Sequence, residues 1–144
     1  MFIGEFTHSL DKKGRVLVPS KFRSQLAGGA VVTRGLDNSL FLYPENKWEE
    51  MAEKLASLPI SKSNTRAFSR LMLAGAMDVE LDSQGRILLP EYLRDYADLS
   101  DKVVIAGLYD RLEMWDKEKW GEYKQNTEKN SDDIAEKLGE LEML

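Results

Sequence analysis

Asp11, Lys12, Lys13, Gly14 and Arg15 bring three cations and one acid into consecutive positions of a short polar stretch. In an exposed turn, Lys12 and Lys13 offer flexible ammonium donors to phosphates. The planar guanidinium of Arg15 can grip a phosphate or a guanine edge through two hydrogen bonds. Asp11 is suited to orient Arg15 across the turn, because a carboxylate facing phosphates is repelled. The same pair also reads as a hairpin clamp or an interface ion pair, and the roles can coexist. Gly14 allows a positive φ without a Cβ clash, and Asp11 can accept from turn amides.

The stretch occurs twice. Leu10-Asp-Lys-Lys-Gly-Arg-Val-Leu-Val-Pro-Ser-Lys-Phe-Arg23 returns as Leu81-Asp-Ser-Gln-Gly-Arg-Ile-Leu-Leu-Pro-Glu-Tyr-Leu-Arg94. The match resumes at Val31-Val32, Gly35-Leu36 and Leu40 against Val103-Val104, Gly107-Leu108 and Leu112, then at Lys47-Trp48 and Glu50 against Lys119-Trp120 and Glu122. Two copies of one supersecondary unit are therefore present. Asp82, Gly85 and Arg86 repeat the turn, whereas Ser83 and Gln84 replace the two lysines. Lys12, Lys13 and Arg15 are the stronger candidates for a nucleic-acid contact, with Gln84 and Arg86 as their counterparts.

Each unit must hold its turn on the same elements. Phe2 to Leu10 and Val16 to Val18 read as strands around the turn, and Pro19-Ser20 opens a short helix through Phe22 and Leu26. Val31 to Arg34 and Leu40 to Tyr43 form a second pair around Gly35 to Asn38. Pro44 then opens a helix with Trp48, Met51 and Leu55 on one face. The second unit repeats this with Met77 to Leu81, Ile87 to Leu89, a helix from Glu91, Val103 to Ala106, Leu112 to Trp115 and a helix bearing Trp120 and Tyr123. Between the units, Pro59 to Ser63 reads as a linker and Asn64 to Ala76 as a helix capped by Asn64, with Phe68, Leu71 and Met72 inward and Lys62, Arg66 and Arg70 outward. Ile134, Leu138 and Leu141 give the acidic tail an amphipathic helix.

Composition bounds the alternatives. At 144 residues, two units of this size are small to stand alone and should share one core. Hydrophobic content of 42% and charged content of 31% are those of a globular protein. No apolar run is long enough for a bilayer, and the first residues lack the features of a signal peptide, so a cytoplasmic location and no membrane partner are expected. The lack of cysteine removes disulfides and thiolate chemistry. A net charge of −5 is unusual for a nucleic-acid binder, but its distribution is uneven. Glu128, Asp132, Asp133, Glu136, Glu140 and Glu142 crowd the tail, whereas Asp11 to Arg23 is basic. His8 reads as structural and both repeated tryptophans as packing residues. No phosphate loop, metal-ligand spacing or nucleophile with its base is present, so neither enzyme nor cofactor is expected.

The repeated Leu-Asp-x-x-Gly-Arg, three apolar residues and Pro resembles the DNA-binding unit of the AbrB-like swapped-hairpin family of transcriptional regulators. Met1-Phe2-x-Gly4-Glu5-Phe6-x-His8-Ser9-Leu10-Asp11 and Gly35-Leu36-Asp37-x-x-Leu40-x-Leu42-Tyr43-Pro44 place the likeness among members with two units, and it runs from Met1 to the region of Lys124. The resemblance implies an α+β fold in which both units form one pseudo-dimeric β-barrel core with flanking helices. Its expected divisions are a first unit at 5–47, a helix and linker at 48–75, a second unit at 76–119 and a helical acidic tail at 120–144. It further implies a bacterial, nucleoid-associated regulator that assembles into homo-oligomeric rings on double-stranded promoter DNA, at repeated elements upstream of division and cell-wall genes. The family's Asp-x-x-x-Arg motif falls on Asp11 with Arg15 and on Asp82 with Arg86. A structural ring, or one that binds RNA or protein through the same turns, is the alternative.

Overall fold

Alternation of side chains along the central strands sets the layers. In β4 (Leu40–Pro44), Leu40 and Leu42 enter the main core, while Phe41 and Tyr43 face a second cluster on the opposite side. In β3 (Ala30–Arg34), Ala30 and Val32 face the core and Thr33 points the other way, donating to the Met72 carbonyl at 2.6 Å. A computed structural model describes residues 1–144 and places these strands in a six-stranded sheet. The others are β1 (Phe2–Ser9), β5 (Met77–Val79), β7 (Lys102–Tyr109) and β8 (Leu112–Asp116), in the order β1-β7-β8-β4-β3-β5. A separate antiparallel ribbon joins β2 (Arg15–Leu17) to β6 (Arg86–Leu88).

The strand order exchanges into itself when the two units are swapped, so a pseudo-twofold passes between β4 and β8 and through the ribbon. The units trade strands: β1 pairs with β7, β5 with β3, and β2 with β6, each across units. Within the first hairpin only an isolated bridge, Leu10 to Val16, joins β1 to β2. The expectation of a closed barrel is corrected here. The sheet is open, with β1 and β5 as its edges, because the ribbon is hydrogen-bonded as its own sheet across the core.

That core is the space between ribbon and sheet. Val16, Val18, Ile87 and Leu89 descend from the ribbon side onto Val32, Leu42, Ile105 and Met114, all buried. The helices after each ribbon strand, α1 (Arg23–Leu26) with its preceding turn and α4 (Glu91–Tyr96), contribute Phe22, Leu26 and Leu93. On the other face, α2 (Glu45–Ala56) covers Phe41 and Tyr43 through Leu55, with Trp48 and Met51 partly buried at its side. Under α5 (Lys117–Lys129), Trp120 and Tyr123 pack against Trp115 at ring-centroid distances of 5.3 and 5.0 Å. Both repeated tryptophans thus pack against aromatic neighbours.

The units differ where the connecting segment lies. The helix begins at Ser63, α3 (Ser63–Ser69), with Lys62 at the cap position and no side-chain cap, so Asn64 is not the cap. It then widens into a π-turn, Arg70–Ala74, which brings Met72 into the second cluster. This segment occupies the end of β3, where Arg34 donates to the Leu71 carbonyl at 3.3 Å, and Tyr92 reaches the Gly75 carbonyl at 2.8 Å. β5 consequently has three residues, ending at Val79 rather than Leu81, whereas β1 has eight. Beyond α5, α6 (Ser131–Glu140) stands almost wholly exposed. No helix is long and apolar enough to cross a membrane.

Candidate nucleic-acid interface

Each turn is built by one carboxylate. Oδ1 of Asp11 accepts from the backbone N–H groups of Lys13 at 3.0 Å and Arg15 at 2.8 Å, while Oδ2 accepts from Arg15 Nε at 2.7 Å. Asp82 does the same with the N–H groups of Gln84 and Arg86, both at 2.9 Å, and with Arg86 Nε at 2.8 Å. The short Asx side chain is what lets one residue close its own turn. Gly14 and Gly85 take φ of +87° and +78°, the left-handed region that favours glycine.

Neighbouring units lock these glycines from outside. The Gly14 carbonyl accepts from Leu89 N–H and the Gly85 carbonyl from Val18 N–H, at 2.8 and 2.9 Å. Arg94 lies over Gly14 and Arg23 over Gly85, so closely that a Cβ at either glycine would fall within 3.0 Å of a guanidinium. Those arginines are held by Nε bonds to the Leu89 and Val18 carbonyls. Arg23 and Arg94 are thus cross-braces between units. Their recurrence in both copies was a visible signal, but their role depends on strand exchange.

The charges then emerge on one side. Register pairs Arg15 with Leu88 and Leu17 with Arg86, so these four share the outer face of the ribbon while Val16 and Ile87 fill the inner one. The two arginines sit on a diagonal, with Cα atoms about 7–8 Å apart. Each uses Nε on its aspartate, and its terminal guanidinium nitrogens have no protein partner. Lys12, Lys13, Ser83 and Gln84 are exposed at the two turn tips. Leu17 and Leu88, which read in sequence only as part of an apolar run, face outward beside the arginines: Leu17 is half-buried and Leu88 is 56% exposed. His8, half-buried on β1, has its pKa lowered by desolvation and then by the Arg23 charge. No group of three or more His, Cys, Asp or Glu side chains is placed to hold a metal ion.

Hydrogen bonding also sets the acid response. The Asp11 carboxyl is held below its ordinary value chiefly by the Arg15 backbone N–H. Partial desolvation opposes this, and the Arg15 guanidinium and the Lys13 N–H add to it. Asp82 is lowered by the equivalent groups, led by the Arg86 N–H. A depressed carboxylate pKa stabilises the fold above the unfolded value and loses that contribution as pH falls through the lowered one. Carboxyl-carbon NMR titration should therefore find both aspartates ionising below the ordinary aspartate range, and Arg15→Ala should move Asp11 upward. Titration of wild-type Asp11 or Asp82 at or above the ordinary value would contradict the turn geometry.

The chain matches the family model described as "MraZ protein, putative antitoxin-like" twice, over residues 1–71 and 72–140. It is 53% identical to the transcriptional regulator MraZ of Natranaerobius thermophilus over 99% of this chain and 100% of that one. The MraZ of Pediococcus pentosaceus is 52% identical, over 96% of both chains. That of Halothermothrix orenii is 46% identical, over 98% of this chain and 99% of its own.

Proposed function

The chain belongs to the MraZ family, and from that membership we propose that it is a transcriptional regulator that binds double-stranded promoter DNA through the two Asp-Arg turns and the ribbon between them. The observation that carries this reading is the pair of guanidinium groups displayed on one ribbon face with their terminal nitrogens free. A two-stranded ribbon fits the major groove, and arginine there pairs with guanine O6 and N7. Lys12 and Lys13 supply phosphate contacts at one tip, and Gln84 a polar contact at the other. Asp11 and Asp82 orient the arginines, and Gly14 and Gly85 shape the turns.

Relatives named as transcriptional regulators support the regulatory role. The targets proposed are repeated elements upstream of division and cell-wall genes, bound in the cytoplasm at the nucleoid, with no cofactor and no catalytic step. Self-assembly into a ring presents many ribbons to tandem repeats. An acidic chain can then bind DNA, because each added contact is intramolecular once the first has formed. Within each unit, the proposed divisions at 5–47 and 76–119 contain the turns, with 48–75 joining them and 120–144 forming the acidic tail.

Titration of DNA carrying one to four repeats, at several spacings and salt concentrations, tests the reading. Affinity should rise steeply with repeat number only at matched spacing. The logarithm of the binding constant should fall by about 0.9 per phosphate neutralised for each unit of log salt. Equal binding to single-stranded RNA, or indifference to repeats and salt, would replace this reading with the RNA-binding or structural one.

A further inference from the structure

We propose that Leu17 and Leu88 are base-reading residues, each contacting the C5-methyl group of a thymine beside the guanine taken by the arginine opposite it. The proposal rests on the DNA-binding reading of the ribbon and adds a base preference to it. Across the ribbon, Leu88 stands opposite Arg15 and Leu17 opposite Arg86. Leu17 is half-buried and Leu88 exposed, and neither belongs to either hydrophobic cluster of the fold. Core packing therefore does not explain why leucine occupies these places. The repeat sharpens the point. The buried positions of the strand differ between units, Val16 against Ile87 and Val18 against Leu89, while the outward position is leucine in both.

Spacing and chemistry select the occupant. Directly opposite residues of an antiparallel pair have Cβ atoms about 5 Å apart and bases stack at about 3.4 Å, so one arginine and its leucine reach neighbouring base pairs. Both guanidinium groups have free terminal nitrogens beside the leucines, and Lys12 and Lys13 border them at one tip. An apolar protein surface would strip water from those cations without pairing them, whereas DNA meets them with guanine acceptors and phosphates. In the major groove thymine presents a methyl group. Cytosine presents an N4 amine there, which a leucine would desolvate without supplying an acceptor. Duplex RNA has neither this methyl nor a major groove that side chains can read. The leucines thus favour thymine over cytosine, and DNA over RNA.

Replacing every thymidine in a duplex of the proposed promoter repeats by deoxyuridine tests the assignment, because it removes the methyl groups and keeps every hydrogen-bonding group of the bases. Wild type should bind the substituted duplex about fourfold more weakly for each methyl contacted, the effect of one apolar carbon left in water. Leu88→Ala should keep the wild-type circular dichroism, bind the thymine duplex more weakly and lose much of the sensitivity to deoxyuridine. Leu17→Ala combined with Leu88→Ala should lose the rest. Crossing protein and base substitutions in this way separates a direct contact from the influence of methyl groups on duplex stiffness. Equal wild-type affinity for the two duplexes, or undiminished sensitivity in the double variant, would overturn the leucine contacts and leave the DNA-binding reading standing. A wild-type chain that binds neither duplex would remove both.

Discussion

Arg15→Ala is expected to leave the fold and assembly intact and to weaken promoter binding by about tenfold to hundredfold per engaged protomer, the range of one bidentate base contact. The two roles of Arg15 are separable because the guanidinium is a secondary support of its turn. Two backbone N–H groups bind Asp11 Oδ1 whether or not the side chain is present, and they include the largest influence on that carboxyl. Arg15→Lys should recover part of the salt-dependent affinity but not the preference between bases, since a lysine keeps the charge without the planar fork. On tandem repeats the losses compound across protomers, so one substitution should abolish binding at concentrations where wild type saturates. A gel-shift series with unchanged affinity in a normally folded variant would remove Arg15 from the interface.

Arg86→Ala should fall in the same range, because the second turn repeats the first hydrogen bond for hydrogen bond. What separates the units is the turn tip. Removing Lys12 or Lys13 should reduce the salt dependence by about one phosphate each with little change in base preference. Gln84 and Ser83 carry no charge to release counterions. Between the two turns the difference is therefore one of charge at the tip, Lys12 and Lys13 against Ser83 and Gln84, while the arginines occupy equivalent places on the ribbon.

The repeat makes the turns legible in the sequence itself. Asp11, Gly14 and Arg15 recur as Asp82, Gly85 and Arg86, and the structure gives each set one geometry. Elements with strong local signals also stand near their expected places: β3 and β4 around Gly35 to Asn38, and α2 after Pro44. Strand partners were less legible, since β1 finds β7 a hundred residues away and no local pattern encodes that register. The outward faces of Leu17 and Leu88 were hidden for another reason. Three apolar residues in a row do not reveal which one faces solvent, and only pairing with the opposite strand settles it. The shortening of β5 likewise follows from the π-turn fastened to Thr33, a tertiary event with no counterpart in the first unit.

Phe22→Ala should be the most damaging single substitution in the core, costing about 3–5 kcal/mol in urea unfolding, as large aromatic truncations do. Phe22 is fully buried and receives two aromatic neighbours edge-to-face, Phe2 at 5.3 Å and Phe6 at 5.5 Å. Those neighbours belong to β1, which pairs with the second unit's β7. One ring thus fastens an exchanged strand to the helix that follows the ribbon. Its counterpart is Leu93, also fully buried, so the second unit shows which smaller side chain this position accepts. Phe22→Leu should consequently cost far less, about 1–2 kcal/mol, by keeping most of the volume and losing the edge-to-face pairs. Because the ribbon is anchored through the same helix, Phe22→Ala should also weaken DNA binding in proportion to the unfolded fraction, and Phe22→Leu should not. Equal stability of wild type and Phe22→Ala would mean that the exchanged strand is held by its backbone ladder alone.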